Sequence, residues 1–201
     1  MPRVTGLRPR GGDRVEVELD GCAWRVVPAD AVVRAGIVEG LELDRARLRL
    51  LRRELRRSEA LVLAARTLRR RDVSSRELGA RLARAGLPPA ARADALSLLT
   101  ATGIVDDERL ASATAQALAR RGWGDAAIAF RLDRLGLDAA AADEACRGLE
   151  AESERAAQVV VERGRSVKTA SYLARRGFSE GAIEDAVGSP LADAPLDGYD
   201  R

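Results

Sequence analysis

The sequence contains no histidine. This removes the commonest general acid–base and the commonest metal ligand together. Without an imidazole, neither a serine triad nor an activated cysteine can be assembled in the usual way. Lysine is almost as scarce, with Lys168 the only one. The glycine pair around Trp123 therefore lacks a Walker lysine, and no strand precedes it. The two cysteines, Cys22 and Cys146, are far apart and form no CxxC pair. They are too few for a disulfide framework and read as small buried or half-buried thiols. Aromatic residues make up only 3% of the chain. No apolar run has the length of a membrane span, and the segment Met1-Pro2-Arg3-Val4-Thr5-Gly6 lacks the apolar stretch of a signal peptide. These absences lead us to expect a cytoplasmic protein that is not an enzyme, with no catalytic residue, no cofactor, no bound metal and no membrane contact.

What is present is alanine, leucine and arginine. The apolar fraction of 46% is dominated by Ala and Leu, which suits thin layers of packed helices better than one bulky core. The first 43 residues differ from the rest. Val15-Glu16-Val17-Glu18-Leu19 alternates apolar and charged residues, the period of a half-buried strand. Asp20-Gly21 suits a type I′ turn, and Cys22 to Val27 forms the return strand. A short helix is expected from Pro28 to Ala35, closed by Gly36, with a further extended piece over 37–43.

After Asp44, a helix N-cap, the pattern turns helical. Leu48, Leu51 and Leu55 recur at helical spacing with arginines between them, and the helix runs to Leu68 with a break expected near Ser58. A repeat follows. Arg81-Leu82-Ala83-Arg84-Ala85-Gly86-Leu87 matches Arg131-Leu132-Asp133-Arg134-Leu135-Gly136-Leu137, and both match Tyr172-Leu173-Ala174-Arg175-Arg176-Gly177-Phe178. Each is a helix end: an inward leucine, arginine against the negative helix terminus, a glycine cap and an apolar residue folding back. Start signals accompany them. Ser74-Ser75-Arg76-Glu77 is a capping box, one of Asp106 and Asp107 is expected to cap the helix that follows Gly103-Ile104-Val105 while the other complements its dipole, and Asp125 and Ser166 are expected caps of later helices. A spacing of roughly 40–50 residues between copies suits two or three helices per unit. The expected organisation is a small β-containing module over 1–43, a connecting basic helix and first repeat over 44–106, and further repeats over 107–151 and 152–188. An acidic, disordered tail is expected over 189–201.

Charge is unevenly spread along the chain. The total is 34 basic against 31 acidic residues. Between Arg45 and Arg92, however, 15 arginines face four acids, Glu54, Glu59, Asp72 and Glu77. Internal pairing cannot neutralise that excess, so a face meeting phosphate or an acidic protein groove is expected. The later repeats extend it with further arginines. The residues expected to meet a partner are Arg69, Arg70, Arg71, Arg76, Arg120, Arg121, Arg131, Arg134, Arg175 and Arg176.

In combination, these features resemble the RecX family, regulators of the RecA recombinase. The resemblance is carried by Ser74-x-x-Glu77-Leu78 with Leu82 and Gly86, then Gly103-Ile104-Val105-Asp106-Asp107 with Ala111. Gly122-Trp123-Gly124 with Ile128, Leu132 and Gly136, and Leu173 with Arg176-Gly177-Phe178, complete it. It spans about Glu59 to Gly188; the order and spacing of these motifs, not any single one, carry it. The resemblance implies a mainly α fold, with tandem three-helix repeats in an elongated curved array after the β-hairpin module. It also implies a monomer that binds the RecA filament on DNA and inhibits its recombinase, ATPase and co-protease activities, in DNA repair and the SOS response. Contact with DNA itself is expected to be weak and blind to sequence. The alternative is a direct DNA-binding transcriptional regulator with one helix pair acting as a helix-turn-helix.

Overall fold

A computed structural model describes residues 1–188, and the acidic segment 189–201 lies outside the described residues. The fold is mainly helical, with ten helices and one three-stranded antiparallel sheet among the described residues. The chain divides between Val105 and Asp106 into two compact units.

The first unit opens with strands β1 (Val4–Arg10), β2 (Arg14–Leu19) and β3 (Cys22–Pro28), ordered β1-β2-β3. The β2–β3 turn is the expected one, with φ of 51° at Asp20 and 82° at Gly21. Strand β1 goes beyond the expected hairpin. Its residues include Gly6 and Pro9, which weaken a strand signal in sequence but are tolerated on an edge. The segment after helix α1 (Ala29–Arg34) is not a regular strand. It runs alongside β1 through backbone hydrogen bonds, Val4 N–H to Leu41 O at 2.8 Å and Gly40 N–H to Val4 O at 2.7 Å. Val4, Val17, Val27, Ala31, Ile37, Leu43, Leu51 and Leu55 form the core here.

Helix α2 (Arg45–Leu68) starts at Asp44, whose carboxylate accepts from the Arg47 N–H, and runs unbroken through Ser58. The expected break is absent because Ser58 is buried and its hydroxyl reaches the Asp30 carboxylate at 3.4 Å. Three helix triplets then follow: the far half of α2 with α3 (Ser75–Arg84) and α4 (Pro89–Ala101); α5 (Asp107–Ala119), α6 (Asp125–Arg134) and α7 (Ala139–Arg147); and α8 (Glu152–Arg163), α9 (Val167–Arg175) and α10 (Glu180–Val187). Each triplet has its own apolar cluster, centred on Leu78 and Leu82, on Ile128 and Leu132, and on Leu173 and Phe178.

The three matched helix ends are built alike. Gly86, Gly136 and Gly177 take φ of 77°, 79° and 81°. The next residue donates back across the glycine, Leu87 to Leu82 O, Leu137 to Leu132 O and Phe178 to Leu173 O at 3.2–3.3 Å, and buries its side chain. This is the Schellman closure, and the buried apolar residue ties each helix end to its core.

In the second unit the two triplets are joined by direct backbone contact. The Gly124 N–H donates to Arg176 O at 3.0 Å and the Ala126 N–H donates to Gly177 O at 3.2 Å. No side chain fits between them, since a Cβ on Gly124 would lie 2.3 Å from Gly177 O and Phe178 N. Asp125 does not cap α6 as the sequence suggests. The cap is Gly124, and the Asp125 carboxylate instead pairs with the buried Arg155 guanidinium. Arg155 also donates to Trp123 O at 2.8 Å and Glu150 O at 3.0 Å. The Glu152 carboxylate takes over the capping role for α6 and also holds Ser179, whose own hydroxyl caps α10. It accepts from the Asp125 N–H at 2.7 Å, and from the Ser179 N–H and hydroxyl at 3.2 and 2.6 Å. A carboxylate suits this position because both helix N-termini carry partial positive charge.

Candidate functional site

The junction fixes the loop that carries Trp123 against the end of α9. Trp123 is half-buried, and its backbone N–H donates to Leu118 O at 3.3 Å, closing α5. The Arg176 guanidinium lies 4.7 Å from the Trp123 ring centre and 5.2 Å from the Tyr172 ring centre. Arg131 approaches the Trp123 ring at 5.9 Å, and Arg163 the Tyr172 ring at 3.9 Å. The result is a stack of alternating cations and rings: Arg131, Trp123, Arg176, Tyr172, Arg163. It draws on α6, the Trp123 loop, α9 and the last residue of α8. Tyr172 and Arg176 meet because four residues separate them on one helix face.

Each cation–ring contact contributes about 0.5–1 kcal/mol at an exposed position. The contact is compatible with anion binding. A guanidinium lying over a ring has one face occupied and keeps its N–H edges for acceptors. Arg131 and Arg163 are exposed and Arg176 is half-buried. None of the three forms an ion pair among the described residues. The Arg176 guanidinium also donates to Arg121 O at 3.3 Å, which brings the Arg120–Arg121 loop to the same edge.

The ten arginines expected to face a partner therefore separate into groups. Arg131 and Arg176 are brought together by the Trp123 ring, and Arg121 joins them only through its backbone carbonyl, which accepts from Arg176. Arg120, Arg134 and Arg175 are exposed on the same unit and unpaired among the described residues. Arg69, Arg70 and Arg76 are exposed on the first unit and unpaired likewise. Arg71 is not free: it is held by the Glu77 carboxylate across the α2–α3 turn, with a second hydrogen bond of 3.0 Å. The basic helix is also more neutralised than its sequence suggests, because Arg53 pairs at 2.9 Å with Asp94 from α4.

Sequence reasoning missed Arg163, Tyr172 and Arg155. The Tyr172–Arg176 spacing was a usable signal; the pairings of Arg155 and Arg163 were not visible without the fold. Burial raises the Cys146 thiol above its ordinary range, and nearby Asp125 adds to the effect, so this cysteine is not primed as a thiolate. Among the described residues, no group of three or more His, Cys, Asp or Glu side chains could hold a metal ion. No described helix is long and apolar enough to cross a membrane.

Comparison with known proteins places this architecture. A protein of Halorhodospira halophila named Regulatory protein RecX is 31% identical over 147 residues, which cover 68% of this chain and 91% of that protein. The chain belongs to the RecX family. A RecX of Mycolicibacterium vanbaalenii is 33% identical over 159 residues, covering 69% of this chain and 85% of the relative. The RecX of Acidithiobacillus ferrooxidans is 32% identical over 137 residues, covering 66% and 91%. No family model matches the chain. Among solved structures, one described as the crystal structure of regulatory protein RecX superposes with a TM-score of 0.79 at 16% identity, covering 93% of this chain and 98% of the other. The crystal structure of RecX from Lactobacillus salivarius gives a TM-score of 0.59 at 15% identity, covering 68% and 97%. At those identities the likeness is one of fold. The RecX relatives carry a regulatory name, and membership of the family gives this chain a regulatory role.

Proposed function

We propose that this chain binds the RecA nucleoprotein filament and restrains it, lowering its recombinase, ATPase and co-protease activities in DNA repair and the SOS response. The observation that carries this reading is the cation–ring stack on a chain of the RecX family. Three guanidiniums, spaced by two rings, have no carboxylate partner among the described residues, an arrangement suited to an anionic polymer. The protein acts as a cytoplasmic monomer, and its helix triplets, each with a separate core, serve as repeats that add modest contacts through tethering. Touching the filament at several places hampers its nucleotide-linked transitions without any catalytic group.

The test is ATP turnover by RecA on single-stranded DNA, with the full chain added to preformed filaments. Turnover should fall at less than one copy per RecA, and the chain should co-sediment with the filaments. Unchanged turnover without co-sedimentation, from a chain whose helicity is intact, would overturn the proposal.

A further inference from the structure

The turn from α8 into α9 is exposed, basic and partly apolar. Every residue from 161 to 168 is exposed, and Val161 and Val167 are 86% and 66% so. Arg163, Arg165 and Lys168 stand against one acid in that stretch, Glu162, and none of the three cations forms an ion pair among the described residues. Lys168 also lies in the first turn of α9, which holds no acidic residue. A cation there opposes the positive end of the helix, and a carboxylate from elsewhere would relieve it. Helix α10 ends beside this turn: a Cβ on Gly188 would lie 3.7 Å from the Arg165 Nη1.

From Gly188 the chain continues into 189–201, whose composition complements the turn. It carries Asp193, Asp197 and Asp200 against one arginine, with Leu191, Leu196 and Tyr199 interspersed. A chain spans at most about 3.5 Å per residue, so Asp193 is held within roughly 18 Å of Gly188 and stays close to Arg165. We propose that segment 189–201 folds back onto the α8–α9 turn and screens it from external anions. Its carboxylates meet Arg165 and Lys168, and its apolar side chains cover Val161 and Val167. Exposed ion pairs of this kind are individually weak and are screened by salt, so the tether, which makes the contact intramolecular, sustains it. Arg163, two residues before Arg165, is the end of the cation–ring stack. An anionic partner that takes the stack must therefore displace the segment. That consequence rests on the proposed role of the stack; the docking of the segment does not.

Lys168 is the only lysine of the chain, which makes the test specific. A water-soluble carbodiimide joins an ammonium to a carboxylate in direct contact, as an amide. In dilute full chain at low salt it should link Lys168 to Asp193, Asp197 or Asp200, as read by peptide mass spectrometry. The yield should fall several-fold in high salt and in Arg165→Glu. The full chain carrying Asp193→Asn, Asp197→Asn and Asp200→Asn should co-sediment with RecA filaments about three-fold more tightly than the parent at low salt, and equally at high salt. The inference is overturned if no such link forms while Lys168 still reacts with an acetylating ester. It is also overturned if the link joins two chains and rises with protein concentration, which would place a second copy on the turn. Equal filament association of the parent and the Asn variant at low salt would overturn the screening. A salt-sensitive link within one chain, with neither protein associating with filaments, would keep the docking and remove the RecA reading.

Discussion

Gly124→Ala should destabilise the second unit by about 3 kcal/mol or more, a large effect for one added methyl group. The cause is contact alone. Gly124 has an ordinary φ of −81°, so alanine suffers no backbone strain there. The new Cβ would instead lie 2.3 Å from Gly177 O and Phe178 N, which are backbone atoms and cannot rotate away. Relief requires the two loops to part. The two backbone hydrogen bonds that join the triplets then break, each contributing about 0.5–1.5 kcal/mol, and the overpacking adds about 1–3 kcal/mol. Urea unfolding followed by Trp123 emission, in a Trp24→Phe background, reads this unit. Gly181→Ala on α10 is the control, because a Cβ there meets nothing within 4 Å. That change should be neutral or stabilising by up to about 1 kcal/mol. Equal behaviour of the two variants would show that the backbone contact at the junction does not exist.

Arg155→Met should destabilise the same unit by about 3 kcal/mol. Arg155 is only 6% exposed. It is the donor for two loop carbonyls, Trp123 O and Glu150 O, and for the Asp125 carboxylate. Methionine keeps the apolar stem but leaves those acceptors without their donor, which is the costly half of losing a buried polar contact. Asp125→Asn should be milder, at about 1 kcal/mol, because the Asp125 side chain is 40% exposed and both carbonyls keep their partner. The order of the two variants under urea is the discriminating result: if Asp125→Asn is as damaging as Arg155→Met, the ion pair rather than carbonyl capture holds the junction. Either way, Arg155→Met loosens the Trp123 loop from α9 and so separates Arg131 from Arg176.

Much of the fold was legible in the sequence because its signals are local. The Asp20-Gly21 turn, the cap at Asp44 and the three glycine closures each rest on a few adjacent residues whose backbone preferences point one way. Strand β1 was not legible, because Gly6, Pro9 and the two arginines Arg8 and Arg10 mask an edge strand that owes its existence to β2 and the segment near Leu41. Asp125 was misjudged for a related reason. An aspartate next to a helix start is a good cap in isolation, but Glu152, 27 residues away, already fills that role and Arg155 draws the aspartate aside. The candidate site was legible as an excess of arginine. Its geometry was not, since which arginines meet a ring depends on two loops coming within backbone contact. Arg71 illustrates the cost: its sequence context matches that of Arg69 and Arg70, yet Glu77 takes its guanidinium.

The most direct test of the account compares two charge reversals for association with RecA filaments, Arg131→Glu with Arg163→Glu on the second unit, and Arg69→Glu with Arg70→Glu on the first. If the cation–ring stack carries the interaction, the first pair should weaken co-sedimentation at least ten-fold and flatten its salt dependence, with helicity unchanged, while the second pair has the smaller effect. Parent-like association of the Arg131→Glu, Arg163→Glu protein would contradict the account and leave the stack as a structural element of the second unit.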